Sequence, residues 1–217
     1  MKVTGKTIIL FFIIIIASML LAIELVPYEK YGSLATVLAM TVFTAIISFI
    51  FSLLSNDYSW TDRLWSTSPI AYAWMYAYAG NYNTFVTIAA LLVTLWGARL
   101  TFNFARRDGY VGGEDYRWKI LHKYIKHPLL WMMFNIIFIS FYQQMLFVGF
   151  TLPLFLMSQE VQPILSIPSF IAILLFFSFL TIETVADQQQ FLFQQSKYGE
   201  IPKKDKYKDD YEKGFRT

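Results

Sequence analysis

Apolar residues in this chain fall into long unbroken runs rather than periodic stripes. Five stretches contain no Asp, Glu, Lys, Arg or His: residues 7–23, 31–56, 64–98, 128–159 and 161–182, together 132 of 217 residues. About 20 apolar residues carry a helix across the hydrocarbon core of a bilayer. Lipid offers no partner to backbone N–H and C=O groups, so such runs must be helices that bond internally. A membrane barrel would need apolar and polar positions to alternate, whereas Ile13-Ile14-Ile15-Ile16 is apolar on every side. The pattern predicts an all-α, multi-pass transmembrane helix bundle.

Six spans are expected. The first, Thr7 to Val26, follows Lys2 and Lys6 as a signal peptide would. No small-x-small cleavage site follows it, so it reads as a retained membrane helix. The second is Leu34 to Leu54. The run 64–98 is too long for one helix and is interrupted by Gly80-Asn81-Tyr82-Asn83. That interruption gives a short third span from about Ser66 to Ala79 and a fourth from Thr84 to about Ala105. The fifth runs from Pro128 to about Met157, with Pro153 marking a break near its far end. The sixth runs from about Pro168 to Gln190.

Composition and charge sharpen this picture. Hydrophobic residues make up 56% and charged residues 15%, well under the roughly 25% that covers a soluble domain. The chain has no Cys and only two His, which excludes disulfides, thiol nucleophiles and His-rich metal sites. The net charge of +3 is small, but its placement is informative. With six spans and a cytoplasmic N-terminus, 16 of the 18 Lys and Arg residues fall on the cytoplasmic side. Lys30 alone lies outside, and Arg99 sits in the end of the fourth span. Merging spans three and four would put basic clusters on both sides. Both termini are therefore expected in the cytoplasm. The chain reads as one integral-membrane domain, 1–217, with two N-terminal spans in 1–54 and a solvated tail from Lys197. The bilayer is its expected partner, with a hydrophobic small molecule as substrate and no nucleic acid.

Ionisable residues inside spans are costly and are functional candidates by default. Glu24 is close enough to its helix end to reach the headgroups. Arg99, Asn103 and Arg106 recur at helical spacing and share one face, with Arg107 beside them. Such a face suits a phosphate-bearing ligand, or an Arg reaching for lipid phosphate. Glu183 and Asp187 also lie one turn apart, and Gln190 and Gln194 roughly continue their face. The loop from Arg106 to Trp118 combines arginines, Gly109, Gly112, Gly113 and the run Glu114-Asp115-Tyr116-Arg117. Glycines, phosphate forks and stacking rings suit a nucleotide, and a basic membrane-surface loop would look the same. Tyr142, Gln143 and Gln144 are polar and lie mid-span, where Gln usually bonds across helices.

Trp96-Gly97-Ala98-Arg99-Leu100, the arginine loop, and Glu183-Thr184-Val185-Ala186-Asp187-Gln188 together resemble the steroid 5-alpha-reductase superfamily. The resemblance is to its microbial branch, similar to the C-terminal domain of 3-oxo-5-alpha-steroid 4-dehydrogenase, and covers roughly residues 55–217. Asp62-Arg63-Leu64-Trp65 with Pro69, Gln144 and Pro153 also fit that pattern. The resemblance implies a helix bundle that holds NADPH on the cytoplasmic side and reduces the C=C bond of an enone. It implies cofactor or gate roles for Arg99, Asn103, Arg107, Glu114, Asp115, Tyr116 and Arg117. Asp187 falls at the family's cofactor-binding Asp, with Glu183 one turn before it. Tyr142 and Gln144 are candidates for holding the substrate carbonyl. The family's Arg-His-Pro-Asn-Tyr signature is absent; Lys126-His127-Pro128 is only a partial likeness elsewhere. The chain therefore reads as an incomplete reductase domain. Two alternatives stand beside it: an S-adenosylmethionine-dependent membrane methyltransferase of the isoprenylcysteine or phospholipid type, and a non-catalytic membrane protein.

Overall fold

The computed structural model describes residues 1–111, 113–160 and 166–197, and every regular element among them is helical. Five helices are long and apolar enough to cross a membrane: Gly5–Leu25, Ser33–Ser55, Thr84–Ala105, Pro128–Ser158 and Ile167–Gln195. The chain is an integral, multi-pass membrane protein. It divides into two compact units, Met1–Ile164 and Leu165–Thr217.

In the first unit, α1 (Gly5–Leu25) begins at Thr4, whose side chain accepts from the Thr7 N–H. It buries Phe11, Ile15, Met19 and Ala22, one helical face, while Ile9, Ile13, Ile16 and Leu20 stay exposed as a lipid-facing surface. A single turn, α2 (Tyr28–Tyr31), leads through Gly32 at φ 85° into α3 (Ser33–Ser55). The Thr36 hydroxyl donates to the Val26 carbonyl at 2.7 Å and ties this corner shut. At the other end the Met1 amino group donates to the Leu54 carbonyl, so α1 and α3 are antiparallel neighbours.

The expected third span is α4 (Ser68–Ala79), a helix of only 12 residues. At 1.5 Å per residue it rises about 18 Å, short of the roughly 30 Å core. It is not among the five helices long enough to cross, and its lead-in is what sets it apart. The segment before it, 56–67, turns inward from the end of α3 instead of running along the surface. Trp60 is fully buried there, 4.7 Å from the Phe11 ring and 4.9 Å from the Phe51 ring. Trp65 Nε1 donates to Gln143 Oε1 at 2.8 Å, and the Thr101 hydroxyl donates to Ser66 Oγ at 2.7 Å. Thus α4 starts below the surface and finishes at the far end of the unit.

At that far end the Gly80–Asn83 turn forms as expected. Asn81 and Tyr82 take φ of 51° and 53°. Asn83 caps α5 (Thr84–Ala105) by accepting from Val86 N, and donates through Nδ2 to the Met157 carbonyl. α4 and α5 then pack as a tight hairpin. A Cβ on Gly97 would lie 2.5 Å from the Ser66 carbonyl oxygen, so only glycine permits this approach.

The short amphipathic α6 (Tyr116–Tyr124) follows. The fifth expected span is α7 (Pro128–Phe134), a π-helical stretch Asn135–Tyr142, and α8 (Gln143–Ser158). Pro153 does not break it, because α8 runs on to Ser158. Pro153 stands on an exposed face near the helix end, where losing one backbone bond costs least. The irregularity falls earlier, at the π-helical stretch. Among the described residues the second unit holds one long helix, α9 (Ile167–Lys197), longer than the expected Pro168–Gln190.

The α4–α5 contact gives a direct test. Gly97→Ala should lower stability by about 1–3 kcal/mol through overpacking. Gly149→Ala, where nothing lies within 4 Å of the added carbon, should leave it unchanged. Thermal unfolding of detergent-purified protein, followed by tryptophan fluorescence, reads both.

Candidate functional site

The basic end of the first unit is organised by a buried ion pair. Arg63 is fully buried, and its Nη2 lies 2.8 Å from Asp57 Oδ2. Its Nε donates to the Tyr110 carbonyl at 3.0 Å, and its guanidinium lies 4.6 Å over the Trp60 ring. Segment 56–67 is thereby joined to the loop that follows α5.

The acidic residues of that loop complete the joint. Glu114 Oε1 accepts from the Tyr58 N–H at 3.1 Å, and the Asp115 N–H donates to Ser59 Oγ at 2.8 Å. Asp115 also caps α6 and takes Arg117 in a two-pronged pair at 2.9 and 3.0 Å. Trp118 Nε1 donates to Asp62 Oδ2 at 2.6 Å. His122 stacks on Trp131 with centroids 4.2 Å apart, and the Tyr58 ring meets Trp131 edge-on. Of the run Glu114-Asp115-Tyr116-Arg117, three members thus clamp this cap together, while Tyr116 is exposed.

The arginine face lies on the last turns of α5. Gly97 approaches α4 and Asn103 is buried, with Arg99 half-buried between them. Arg106 leans over the Phe102 ring at 5.4 Å, and Arg107 is exposed just beyond the helix. Glu183 and Asp187 stand one turn apart on α9, in the second unit.

The interior of the first unit holds a polar layer that reading the sequence missed. Gln144 is fully buried, and neither its Nε2 nor its Oε1 has a hydrogen-bond partner. Tyr142 instead is half exposed, stacked 5.2 Å from Phe138. Tyr72 and Tyr76, one turn apart on α4, are fully buried with unpartnered hydroxyls. Along α3, Thr41, Thr44, Ser48 and Ser52 are buried at helical spacing. Asn135 Nδ2 donates to Ser52 Oγ at 2.7 Å. The signal was available: Ser68, Tyr72 and Tyr76 recur every four residues. Tyrosine in a membrane protein, however, reads first as an interfacial anchor.

Burial pushes the Asp62 carboxyl above its ordinary range, and the Trp118 hydrogen bond only partly opposes it. Burial also raises Glu114. On Asp115 burial acts upward too, but the Arg117 hydrogen bonds outweigh it and hold this carboxyl low. A raised folded value means the fold holds the proton more tightly than the unfolded chain. The contribution of Asp62 is then full at low pH and is lost as pH rises from the usual carboxylate range through its raised value. Asp62→Asn keeps an oxygen for Trp118 and removes the charge. Its melting temperature relative to the parent should rise between about pH 4 and about pH 7. A pH-independent difference would contradict the assignment.

Comparison with known proteins places this geometry in a family. Residues 48–206 match the family described as "Protein of unknown function (DUF1295)". An uncharacterized protein of Schizosaccharomyces pombe, C594.04c, is 31% identical over 152 residues, which is 67% of this chain and 44% of that protein. The chain thus spans under half the length of this curated relative. No solved structure matches. The matched region runs from the last turns of α3 through α9 and takes in the buried Arg63, the cap, the arginine face and all of the polar layer but Thr41 and Thr44. The chain belongs to the DUF1295 family.

Proposed function

We propose that this protein is a membrane-embedded, NADPH-dependent reductase of a C=C bond conjugated to a carbonyl in a hydrophobic lipid. The observation that carries the reading is Gln144, a fully buried amide without partners inside an apolar bundle. Such a group is costly unless something it binds repays the cost. An amide N–H is also what a carbonyl needs as negative charge develops on its oxygen.

The cationic groups fit a dinucleotide. Arg99, Arg106 and Arg107, on the last turns of α5 and just beyond it, supply guanidinium groups of the kind that bind phosphates. Asn103, on the same helix, supplies an amide that bonds ribose hydroxyls or a carboxamide. NADPH, when bound, supplies a hydride to the β-carbon. As a hydride reached the β-carbon, the Gln144 N–H would hold the carbonyl oxygen that takes up the electron pair of the C=C bond, and solvent would supply the proton that completes the α-carbon. The same fold would place S-adenosylmethionine on similar groups, so the binding test carries both.

Purified protein in detergent should quench or shift NADPH fluorescence, and Arg99→Met should weaken this by roughly tenfold or more. Stabilisation by S-adenosylmethionine without any by NADPH would overturn the reductase reading.

The reading includes six crossings, with α4 and its inward-turning lead as the third, and with both termini cytoplasmic. Contacts within the first unit support this. The Tyr28 and Tyr78 rings meet at 5.3 Å and Gly80 abuts Ser158 at the far end, while Leu54, Tyr58 and Trp131 gather at the basic end. The chain has no Cys, so a single introduced thiol reports its own side. In sealed cells, Lys30→Cys should react with a membrane-impermeant maleimide and Lys119→Cys only after permeabilisation. The reverse result would invert the topology.

A further inference from the structure

One helix of the first unit, α6, carries apolar side chains on two opposite faces. Its inward face is Trp118, Leu121 and, just past the helix, Ile125. Trp118 is buried, and Leu121 and Ile125 pack with it against Tyr58, Trp131 and Ile139. That face accounts for the folding of the helix. The outward face holds Tyr116, Ile120 and Tyr124, which recur every four residues and so form one row. They are 69%, 47% and 80% exposed, so the fold of the first unit does not use them. Lys119 and Lys123 edge the row, and Lys126 follows the helix; all three are exposed.

The chain holds this row beside lipid. Pro128, four residues after Tyr124, opens the membrane-crossing helix Pro128–Ser158, and four residues reach no more than about 14 Å. The connection also folds back on itself. His122 stacks on Trp131, in the first turn of that helix, with centroids 4.2 Å apart. Leu129 and Leu130, in the same turn, are exposed and belong to the lipid-facing surface. α6 therefore lies at the depth where its neighbour enters hydrocarbon, which is the depth of the headgroups.

The charges around the row have one sign. From Tyr116 to Pro128 there are four Lys and Arg residues and no Asp or Glu. The acids just before the helix are turned elsewhere. Glu114 accepts from the Tyr58 N–H, with Lys119 near enough to act on its charge, and Asp115 takes Arg117. Lys123 and Lys126 lie further along. Tyrosine and isoleucine edged by lysines suit the headgroup layer, with the apolar groups below the phosphates and the ammonium groups level with them.

We infer that the outward face of α6 is a binding surface for anionic phospholipids of the leaflet at the basic end. Tyr116, Ile120 and Tyr124 enter the headgroup layer, and Lys119, Lys123 and Lys126 meet its phosphates. The inference does not draw on the reductase reading. It gives the cap a second anchor: Trp118 holds α6 to Asp62 from inside, and lipid holds it from outside. A choline headgroup cancels the charge of its own phosphate, so the lysines select lipids of net negative charge.

The test uses the full chain in detergent, with phosphatidylglycerol as probe and phosphatidylcholine as control. Phosphatidylglycerol should raise the melting temperature by a few degrees more than phosphatidylcholine, and added salt should shrink the difference. The paired variant Lys119→Gln and Lys123→Gln should melt as the parent does without lipid, and need roughly tenfold more phosphatidylglycerol. Lys119→Arg with Lys123→Arg should keep the parent's response, as should Lys30→Gln at the far end of the unit. The chain has no Cys, so Tyr124→Cys can carry a nitroxide. In vesicles containing phosphatidylglycerol that nitroxide should meet oxygen more readily than an uncharged, water-soluble nickel chelate. Equal responses of the parent to the two lipids would overturn the surface. So would a glutamine pair that responds as the parent does, or a nitroxide that stays open to the chelate. If the glutamine pair melts early without lipid, the arginine pair decides: loss of the lipid response there would overturn the surface as well.

Discussion

The Arg63–Asp57 pair is the constraint on which the first unit depends. A guanidinium with no exposed surface keeps its charge only while a carboxylate and further acceptors surround it. Asp57 and the Tyr110 carbonyl meet that need, and Trp60 covers the remaining face. Removing one partner of such a pair costs about 3–5 kcal/mol, because the other is left charged and buried. That requirement forces segment 56–67 to turn inward. The inward turn seats Trp60 between Phe11 and Phe51, and starts the 12-residue α4 below the surface. The same arginine, through Tyr110, fixes the loop whose Glu114 and Asp115 then close over Tyr58 and Ser59.

Above that joint the protein is basic and hydrated; below it is an apolar bundle with a thin polar layer. The two zones need each other. Segment 56–67 passes from one to the other in a few residues, from Asp57 through Trp65. The proposed reaction between a charged cofactor and a lipid would use such a passage, since neither reactant is soluble in the other's surroundings.

Much of the architecture was legible in the sequence. Charge-free runs locate the long helices to within a few residues, because lipid permits little else. The turn at Gly80–Asn83 was legible from its glycine and asparagines, although the left-handed conformation there falls on Asn81 and Tyr82 and not on the glycine. Arg63 was visible only as one more basic residue on the cytoplasmic side. Its burial depends on Asp57 and Tyr110, and no local pattern links the three. Glu114 and Asp115 look like ligand-binding acids in a glycine-rich loop, yet their oxygens and backbone face segment 56–67. Tyr72 and Tyr76 sit in a tyrosine-rich helix, where composition hides the four-residue spacing. Gln144 stood out because an amide in lipid is rare; Tyr142, two residues earlier, lies on the opposite side of the helix, as residues two apart do.

The π-helical stretch, Asn135–Tyr142, holds a helix to a wider turn for eight residues. Residues four apart come nearly above one another there, which is why Phe134, Phe138 and Tyr142 stack face to face on the outside. The wide turn absorbs extra length in the winding, so every residue after it points where its count places it. Losing one residue between 135 and 142 would restore an ordinary ladder and leave α8 facing as it does, because eight residues in the wider winding turn through about the angle that seven turn in an α-helix. A deletion inside α8 itself has no such slack and would rotate everything after it by about 100°. The inward face of α8 is therefore encoded by arithmetic as well as by chemistry, and the π-helical stretch is where the count can be changed at least cost in direction.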